Sequence, residues 1–222
     1  MQEQITAPQQ EHFSPAQRVS RELVIKKSRF ICDLIPVTTE QTAAQEIAAI
    51  KKKHYNARHH CFAMILGARH DFEKGSDDGE PQGTAGVPML EVLRKSGLTN
   101  VLAVVTRYFG GTLLGAGGLV RAYSGAVAEA VRIAEVIHHV PAVALDFKIA
   151  YADYAKLQSI ASEFGAAVEA EYGEAVMAKM IIRHSSLVQA QKKISEAFLG
   201  ADVYRIAEEC MIAEPAGKTA EL

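Results

Sequence analysis

The 222-residue chain has no tryptophan and only three cysteines: Cys32, Cys61 and Cys210. The cysteines are far apart in the sequence and form no C-x-x-C pair, so neither a zinc ribbon nor a disulfide framework is indicated. We therefore expect buried, reduced thiols.

Long hydrophobic runs and a strong excess of either charge are also absent. No apolar run approaches the roughly 18 residues that a membrane-spanning helix needs. The first fifteen residues, MQEQITAPQQEHFSP, are polar and contain no apolar segment typical of a secretory signal. The formal net charge of −2 gives no global attraction to nucleic acid or to acidic membranes. These features predict a soluble cytoplasmic protein with no membrane partner.

The pattern of elements predicts an α+β protein with a first domain over residues 20–140, preceded by a loose tail over 1–19. VLAVVTRYF (101–109) is a continuous β-branched run, as expected for a strand buried on both faces. The other predicted strands are RELVIKKSRFICDLIPV (21–37), as two strands or one bent strand, and HHCFAMIL (59–66). The first predicted helix starts at Thr38, with Thr38 and Gln41 in capping-box spacing, and closes at Lys51–Lys53. Two more helices are predicted, one from Gly86 or Pro88 to Lys95 and a long one over 118–136.

After Pro141 the pattern restarts and predicts a second domain over residues 141–214, followed by a tail over 215–222. Its order is β-α-β-β-α-β, the ferredoxin-like arrangement. The predicted elements are a strand at VALDFKIA (143–150), a helix capped by Asp153 and ended by Gly165, a hairpin around Gly173–Glu174, a helix opened by Ser186 and ended by Gly200, and a last strand at ADVYRIAEECMI (201–212). It contains no cluster of catalytic residue types, so we expect a role in recognition or dimer contact.

Five of the sixteen glycines fall within nine residues of the stretch TRYFGGTLLGAGGLVRAY (106–123). A strand end, a glycine loop and a helix N-terminus together present backbone amides and a partial positive charge to an anion. We expect Arg107 to be exposed at the strand end, where it and Arg121 can grip phosphate. The alternative is that the glycines serve close packing and left-handed turns. The spacing matches neither nucleotide-binding fingerprint, and the glycines alone do not separate the two interpretations.

Three carboxylates, Asp77, Asp78 and Glu80, lie within four residues of the stretch GSDDGEPQGTAGVPML (75–90). Oxygen-rich loops can hold Mg²⁺ or Ca²⁺, although this spacing is not that of an EF-hand. Paired carboxylates can also act as general acid and base. The remaining interpretations are structural: the loop makes turns and caps the next helix, or its carboxylates pair with Arg107 or Arg121 and fix the glycine loop.

The most basic part of the chain lies just before and at the start of the strand at 59–66. A solvated helix end explains it, and so does a contact with RNA or an acidic protein. His59 and His60 point to opposite faces of a strand and cannot both ligate one ion from the same face. The only nearby aromatic residues are Tyr55 and Phe62, so a base-stacking platform is not indicated there. The basic residues and histidines are Lys51, Lys52, Lys53, His54, Arg58, His59 and His60.

Four separated blocks of this chain resemble the signature stretches of the YigZ/IMPACT family in order and spacing. They are KKSRFI (26–31), ARHHCFA (57–63), SDDGEPQGTAGVPML (76–90) and VVTRYFGGTLLGAGGLVRAYS (104–124). One departure is Val87, where relatives often have a basic residue. The matched positions are Asp77, Asp78, Gly79, Glu80, Pro81, Gly83, Thr84, Gly86, Pro88, Arg107, Tyr108, Gly110, Gly111, Gly115, Gly117, Gly118, Leu119, Arg121 and Tyr123.

The resemblance implies a first domain like the second domain of ribosomal protein S5 and a second domain like a ferredoxin-like domain of elongation factor G. Bacterial members resemble nucleic-acid-binding or translation-associated proteins, with no reaction or cofactor firmly attached. Eukaryotic relatives restrain the general-amino-acid-control kinase by competing for its activator. Kinases of small molecules in the same fold class also hold phosphates on a glycine-rich loop, an analogy at the level of fold only.

These observations predict a non-enzymatic, translation-associated binding protein, with a role in translational regulation under stress and with RNA or a ribosome-associated protein as its partner. The alternatives are a Mg²⁺-dependent enzyme acting on a phosphorylated small molecule and a pure protein-interaction module. The sequence indicates no oligomeric state. The predicted binding residues are Arg107, Tyr108, Gly110, Gly111, Gly115, Gly117, Gly118, Arg121, Lys51, Lys52, Lys53, Arg58, His59 and His60, with Asp77, Asp78 and Glu80 as a supporting acidic loop.

Overall fold

A computed structural model describes residues 10–218 and contains ten strands and five α-helices within them. The α+β class predicted from the sequence is confirmed. The strands are β1 (His12–Pro15), β2 (Val19–Ile25), β3 (Ser28–Pro36), β4 (His59–Leu66), β5 (Phe72–Ser76), β6 (Val101–Tyr108), β7 (Glu135–Ile149), β8 (Ala167–Tyr172), β9 (Val176–Arg183) and β10 (Tyr204–Lys218). The helices are α1 (Glu40–Lys53), α2 (Gly86–Ser96), α3 (Ala116–Ile133), α4 (Tyr154–Glu163) and α5 (Leu187–Ala197).

The described chain divides into two compact units. The first unit contains His12–His138 together with residues 214–218, and the second contains His139–Ala213 together with residues 10 and 11. No helix within residues 10–218 is long and apolar enough to cross a membrane.

The first unit is built on an antiparallel sheet of order β2-β3-β6-β4-β5. Its central strand β6 is buried on both faces, as predicted. Ala103 and Val105 pack with α2 and α3 on one face, while Leu102 and Val104 pack with α1 on the other. A strand between two helical layers needs apolar side chains on both faces, which explains the apolar run over residues 101–105 of β6.

The start of α1 differs by one residue from the prediction. The cap is Thr39, whose hydroxyl accepts from Thr42 N, and the Thr42 side chain accepts in turn from Thr39 N. The predicted pair, Thr38 and Gln41, is not used. Two capping boxes one residue apart were available in this sequence, and the extended backbone at Thr39 selects the second.

Both predicted tails are partly structured. Residues 12–15, assigned to the tail over 1–19, form β1 beside β7, and Ala16 N donates to Glu135 O over 2.8 Å. At the other end, β10 extends through 215–218. Residues 1–9 and 219–222 of the predicted tails lie outside the described residues. Short strands of this kind carry no readable alternation, since their stability comes from a partner distant in sequence. Pairing with distant residues also explains why β7 begins at Glu135, inside the stretch 118–136 that was predicted as helix.

The second unit follows the predicted order, β7-α4-β8-β9-α5-β10, and its strands lie side by side as β10-β7-β9-β8. Asp153 and Ser186 occupy the N-cap positions of α4 and α5, but neither side chain makes the predicted capping hydrogen bond. Each is the last residue of a short 3₁₀ turn and has helical backbone angles instead of the extended ones that a capping side chain needs. Asp153 pairs with Lys156 instead.

Candidate functional site

Several segments of interest meet at one end of the first unit's sheet, where β6 ends and β4 begins. Register places Arg107 of β6 opposite both His59 of β4 and Phe30 of β3. The turn between β2 and β3 therefore lies beside the residues that follow β6. We call residues 77–85 the acidic loop and residues 109–118 the glycine loop.

Asp77 caps helix α2 from within the acidic loop. Its carboxylate accepts hydrogen bonds from the backbone amides of Gly83 at 2.8 Å, Ala85 at 2.9 Å and Gly86 at 2.8 Å. Burial works to raise the pKa of Asp77, but the three donated hydrogen bonds outweigh it and hold the pKa below its ordinary value. The capping role anticipated for an acidic side chain of this loop is therefore present.

Asp78 joins the acidic loop to α1 and β4. Its carboxylate accepts from Lys51 Nζ at 2.8 Å and from the backbone amide of His60 at 2.7 Å. Burial raises the pKa of Asp78 while Lys51 and the His60 amide lower it, and the net shift is downward. Lys51, one of the predicted binding cations, is thus already paired within the protein.

Glu80 forms a buried ion pair with Arg107. Arg107 Nη1 donates to Glu80 Oε1 at 2.6 Å, and the Tyr123 hydroxyl of α3 donates to the same oxygen at 2.7 Å. The expected pairing of an acidic-loop carboxylate with Arg107 is confirmed. The expectation that Arg107 is exposed is wrong, because the residue is only 7% exposed. The acidic loop folds over the end of β6, which the sequence of the strand itself could not indicate.

The Arg107 guanidinium is held on all sides by this cluster. It lies 5.4 Å from the ring centroid of Phe30 and 5.7 Å from that of Phe109. Its Nε atom is buried and has no hydrogen-bond partner among the described residues. Arg107 therefore links β6, the acidic loop and α3.

The neighbouring thiol of Cys61 and phenol of Tyr123 are buried. Burial raises the pKa of Cys61 to about 12, and burial also raises the pKa of Tyr123. Both groups are therefore protonated at neutral pH. Across residues 10–218, no three His, Cys, Asp or Glu side chains are grouped so that they could hold a metal ion.

The histidines fix the end of α1 to the sheet. His59 Nδ1 donates to Asp78 O at 2.9 Å, and His60 Nε2 donates to His54 O at 3.2 Å, since a carbonyl oxygen can only accept. Burial lowers the pKa of His60. Tyr108 donates to Asn56 and also contacts His54 Nδ1 at 2.9 Å. His59, His60 and Tyr108, which were all predicted as ligand contacts, thus have partners inside the protein.

Other predicted cations remain on the surface. Lys52, Lys53 and Arg58 are exposed around the end of α1, and Arg121 is exposed on α3. The first turn of α3 contains no acidic residue and no described side chain caps it. The positive end of this helix therefore faces solvent beside Arg121.

The glycines of the glycine loop differ in what they do. A Cβ on Gly110 would lie 2.0 Å from the carbonyl carbon of Lys27, so this glycine permits a close approach of two backbones. A Cβ on Gly118 would lie 3.0 Å from Leu114 Cβ, which is a moderately tight contact. Gly111 and Gly115 have φ angles of +83° and +70°, which favour glycine.

At Gly117, neither close packing nor a left-handed φ angle requires a glycine. It lies in the first turn of α3, its φ is not in the left-handed region, and no atom lies within 4 Å of the position that a Cβ would occupy. Alanine would fit at this position without strain and would favour the helix. The structure of the free protein therefore does not account for this glycine.

Two features of this region were missed in the sequence. Lys26 and Lys27 form the β2–β3 turn with left-handed φ angles of +47° and +65°, and the turn touches Gly110. Phe109 is a large aromatic side chain on the surface, 52% exposed. The basic break at 26–27 was visible in the sequence, but its contact with the glycine loop depends on strand pairing.

A concavity also lies elsewhere, on the second unit. It has a volume of about 730 Å³ and includes Asp146, Lys148 and Arg205 in its lining. Arg205 and Asp146 form an ion pair across it at 3.2 Å. Its charges are mixed, and none of the sequence-predicted site residues contributes to it.

In comparisons with known proteins, the segment that matches a family model contains both loops. The Impact N-terminal domain model matches residues 26–131. The chain is 56% identical over 118 residues to the IMPACT family member YvyE of Bacillus subtilis (strain 168), which covers 53% of this chain and 54% of that protein. It is 34% identical over 190 residues to the IMPACT family member YigZ of Escherichia coli (strain K12), which covers 84% of this chain and 93% of that protein.

The solved structures agree with these matches. A crystal structure of a hypothetical protein superposes with a TM-score of 0.60 at 32% identity, covering 89% of this chain and 96% of the other. The match to YvyE thus spans about half of that relative, whereas the match to YigZ spans nearly all of it. Because the agreement with YigZ extends over most of both chains, this protein belongs to the YigZ/IMPACT family.

Proposed function

We propose that this chain is a non-enzymatic, translation-associated protein of the cytoplasm that binds the phosphate backbone of RNA through the glycine loop. The observation that carries the proposal is the exposed, uncrowded backbone from Gly111 to Gly117 at the uncapped start of α3. Exposed amides at the positive end of a helix suit phosphate oxygens.

Gly117 supports this proposal more directly than the other glycines do. A glycine that neither backbone angle nor packing requires is explained when a ligand must approach the backbone where a methyl group would stand. Arg121, four residues further along α3 and exposed, is placed on the neighbouring turn for a second contact. We assign Arg107 a positioning role, since its charge is already paired with Glu80.

The geometry favours binding over Mg²⁺-dependent catalysis. A metal-dependent enzyme would need the carboxylates of the acidic loop to be available. Asp77, Asp78 and Glu80 instead all accept hydrogen bonds from other groups of the protein. Releasing any of them to a metal would leave a helix end, the His60 amide or the buried Arg107 guanidinium without its partner.

We also propose the finer fold assignments. The strand order β10-β7-β9-β8, with α4 and α5 packed on one face, supports a ferredoxin-like domain over residues 141–214. The family resemblance supports an S5 domain 2-like fold for residues 20–140. A ribosome-associated protein as the partner, and regulation under stress, remain predictions.

The experiment is a titration of a labelled RNA oligonucleotide, followed by fluorescence anisotropy, at several salt concentrations. We expect affinity to fall with salt, and Arg121→Gln to reduce the magnitude of the log–log slope by about 0.7–0.9. Gly117→Ala should weaken binding at every salt concentration without changing the slope, because no charge is lost. Arg132→Gln is the matched control at the far end of α3. RNA binding that is absent in the wild type, or equal in Gly117→Ala, Arg121→Gln and the control, contradicts the proposal.

A further inference from the structure

Phe109 is the first residue after β6, and the groups on either side of this half-exposed residue are anchored within the protein. The next residue, Gly110, packs against the Lys27 backbone and donates its amide hydrogen to Ser28 Oγ at 3.1 Å. On the other side, the Arg107 guanidinium lies 5.7 Å from the ring centroid and is itself held by Glu80. The ring is therefore a preorganised surface and not the mobile tip of a loop.

The folded protein alone does not explain this exposed ring. Phe109 is 52% exposed, whereas the neighbouring aromatic side chains Phe30 and Tyr123 are fully buried. An exposed aromatic ring beside cations and open backbone amides is the arrangement by which proteins bind single strands, with a base on the ring and phosphates on the cations.

We infer that Phe109 is a stacking platform for an unpaired nucleobase, so that the ligand of the glycine loop is single-stranded RNA. This inference rests on the proposed function and specifies its ligand. Duplex RNA cannot use the ring, since the faces of its bases are covered by their neighbours.

The β2–β3 turn supplies cations beside this platform. Lys26 and Lys27 are both exposed, and the backbone of Lys27 touches Gly110, the residue next to Phe109. The Lys27 backbone thus places the turn that carries these two lysines beside a nucleotide whose base lies on Phe109. Neither lysine belongs to the set predicted from the sequence.

The chain offers a direct test because it contains no tryptophan. Phe109→Trp introduces a unique indole at the proposed platform. Titration with an unstructured oligoadenylate should quench its fluorescence at an affinity equal to that of the wild type, while a duplex of the same length should leave the emission unchanged. Emission unaffected by bound single-stranded RNA overturns the inference.

Affinity measurements with Phe109→Ala complete the test. Stacking of one base predicts a loss of roughly 5- to 150-fold for single-stranded RNA, with an unchanged salt slope. Val188→Ala is the matched control, because Val188 is 76% exposed but lies on α5, outside the glycine loop, and has no aromatic ring. Thermal melting of each variant shows whether the fold is intact.

The outcomes separate this inference from the proposed function. If the wild type binds neither form of RNA, the proposed function fails. If the wild type binds single-stranded and duplex RNA equally and folded Phe109→Ala binds as the wild type does, only the role of Phe109 is overturned. A preference for single strands that disappears in Phe109→Ala and persists in Val188→Ala supports the inference.

Discussion

The acidic loop and the glycine loop lie at the same end of one sheet, yet they use their residues in opposite ways. In the acidic loop, all three carboxylates are engaged by groups of the protein. Its flanking glycines, Gly75 and Gly86, touch each other's backbones, and a Cβ on Gly86 would lie 2.6 Å from Ser76 N. In the glycine loop, Gly111, Gly115 and Gly117 have open space around them.

This difference shows that polar residue types alone do not indicate which loop keeps its groups available to a ligand. The acidic loop contains the residues most typical of catalysis or metal binding, but its interactions are directed inward and stabilise the fold. The glycine loop contains almost no functional groups, but its backbone remains available. The comparison can be tested by substitutions in each loop whose effects on stability differ in size and sign.

The largest effect is expected for Glu80→Ala. This change leaves the Arg107 guanidinium buried without its partner, which should lower the free energy of unfolding by about 3–5 kcal/mol. Urea denaturation measures it. The double variant Glu80→Leu/Arg107→Met should lose much less, since no charge stays buried. Equal losses in the single and double variants would mean that shape, and not charge pairing, makes this cluster important.

Smaller effects on stability are expected when two glycines of the glycine loop are replaced by alanine, and these two effects should have opposite signs. Gly110→Ala should destabilise the protein by about 1–3 kcal/mol, because the new methyl group meets rigid backbone at Lys27. Gly117→Ala should raise the free energy of unfolding by about 0.4–1 kcal/mol, because it restricts the unfolded chain without straining α3. Parallel thermal melts compare the two variants. A destabilised Gly117→Ala would show that the fold itself requires this glycine.

An effect close in size to those of the two glycines is expected for Asp77→Ala, which removes the cap of α2 and should cost about 0.5–2 kcal/mol at neutral pH. The pKa of Asp77 is lowered in the folded protein from an ordinary value of 3.8. Its stabilisation is therefore complete above that value and is lost as the pH falls through the lower folded pKa. The difference between wild type and variant should be constant from pH 5 to 8 and should shrink below about pH 4. A difference that persists unchanged at the lowest pH would exclude the carboxylate as its source.

The parts of the site that were predicted from sequence depend on local pattern. The central strand over 101–108, the helix after the glycine loop and the cap supplied by the acidic loop are all properties of neighbouring residues. A pairing of an acidic-loop carboxylate with Arg107 was one of several interpretations of that loop. Only the contact between Glu80 and Arg107 in the structure distinguished it from the others.

The parts that were missed depend on residues far apart in the chain. The burial of Arg107 requires the acidic loop to cover the end of β6, and the position of Lys26 and Lys27 requires the pairing of β3 with β6. The N-caps predicted at Asp153 and Ser186 failed because the 3₁₀ turns that end at these residues rotate the backbone away from the capping geometry.

The amino-acid sequence by itself determined the α+β class, the family and the two loops that matter, because periodicity, capping and glycine content are local properties. Only the tertiary structure decided which loop turns inward and which stays open. That outcome depends on whether a distant residue satisfies a carboxylate or fills the space beside a glycine, and strand pairing alone brings such residues together.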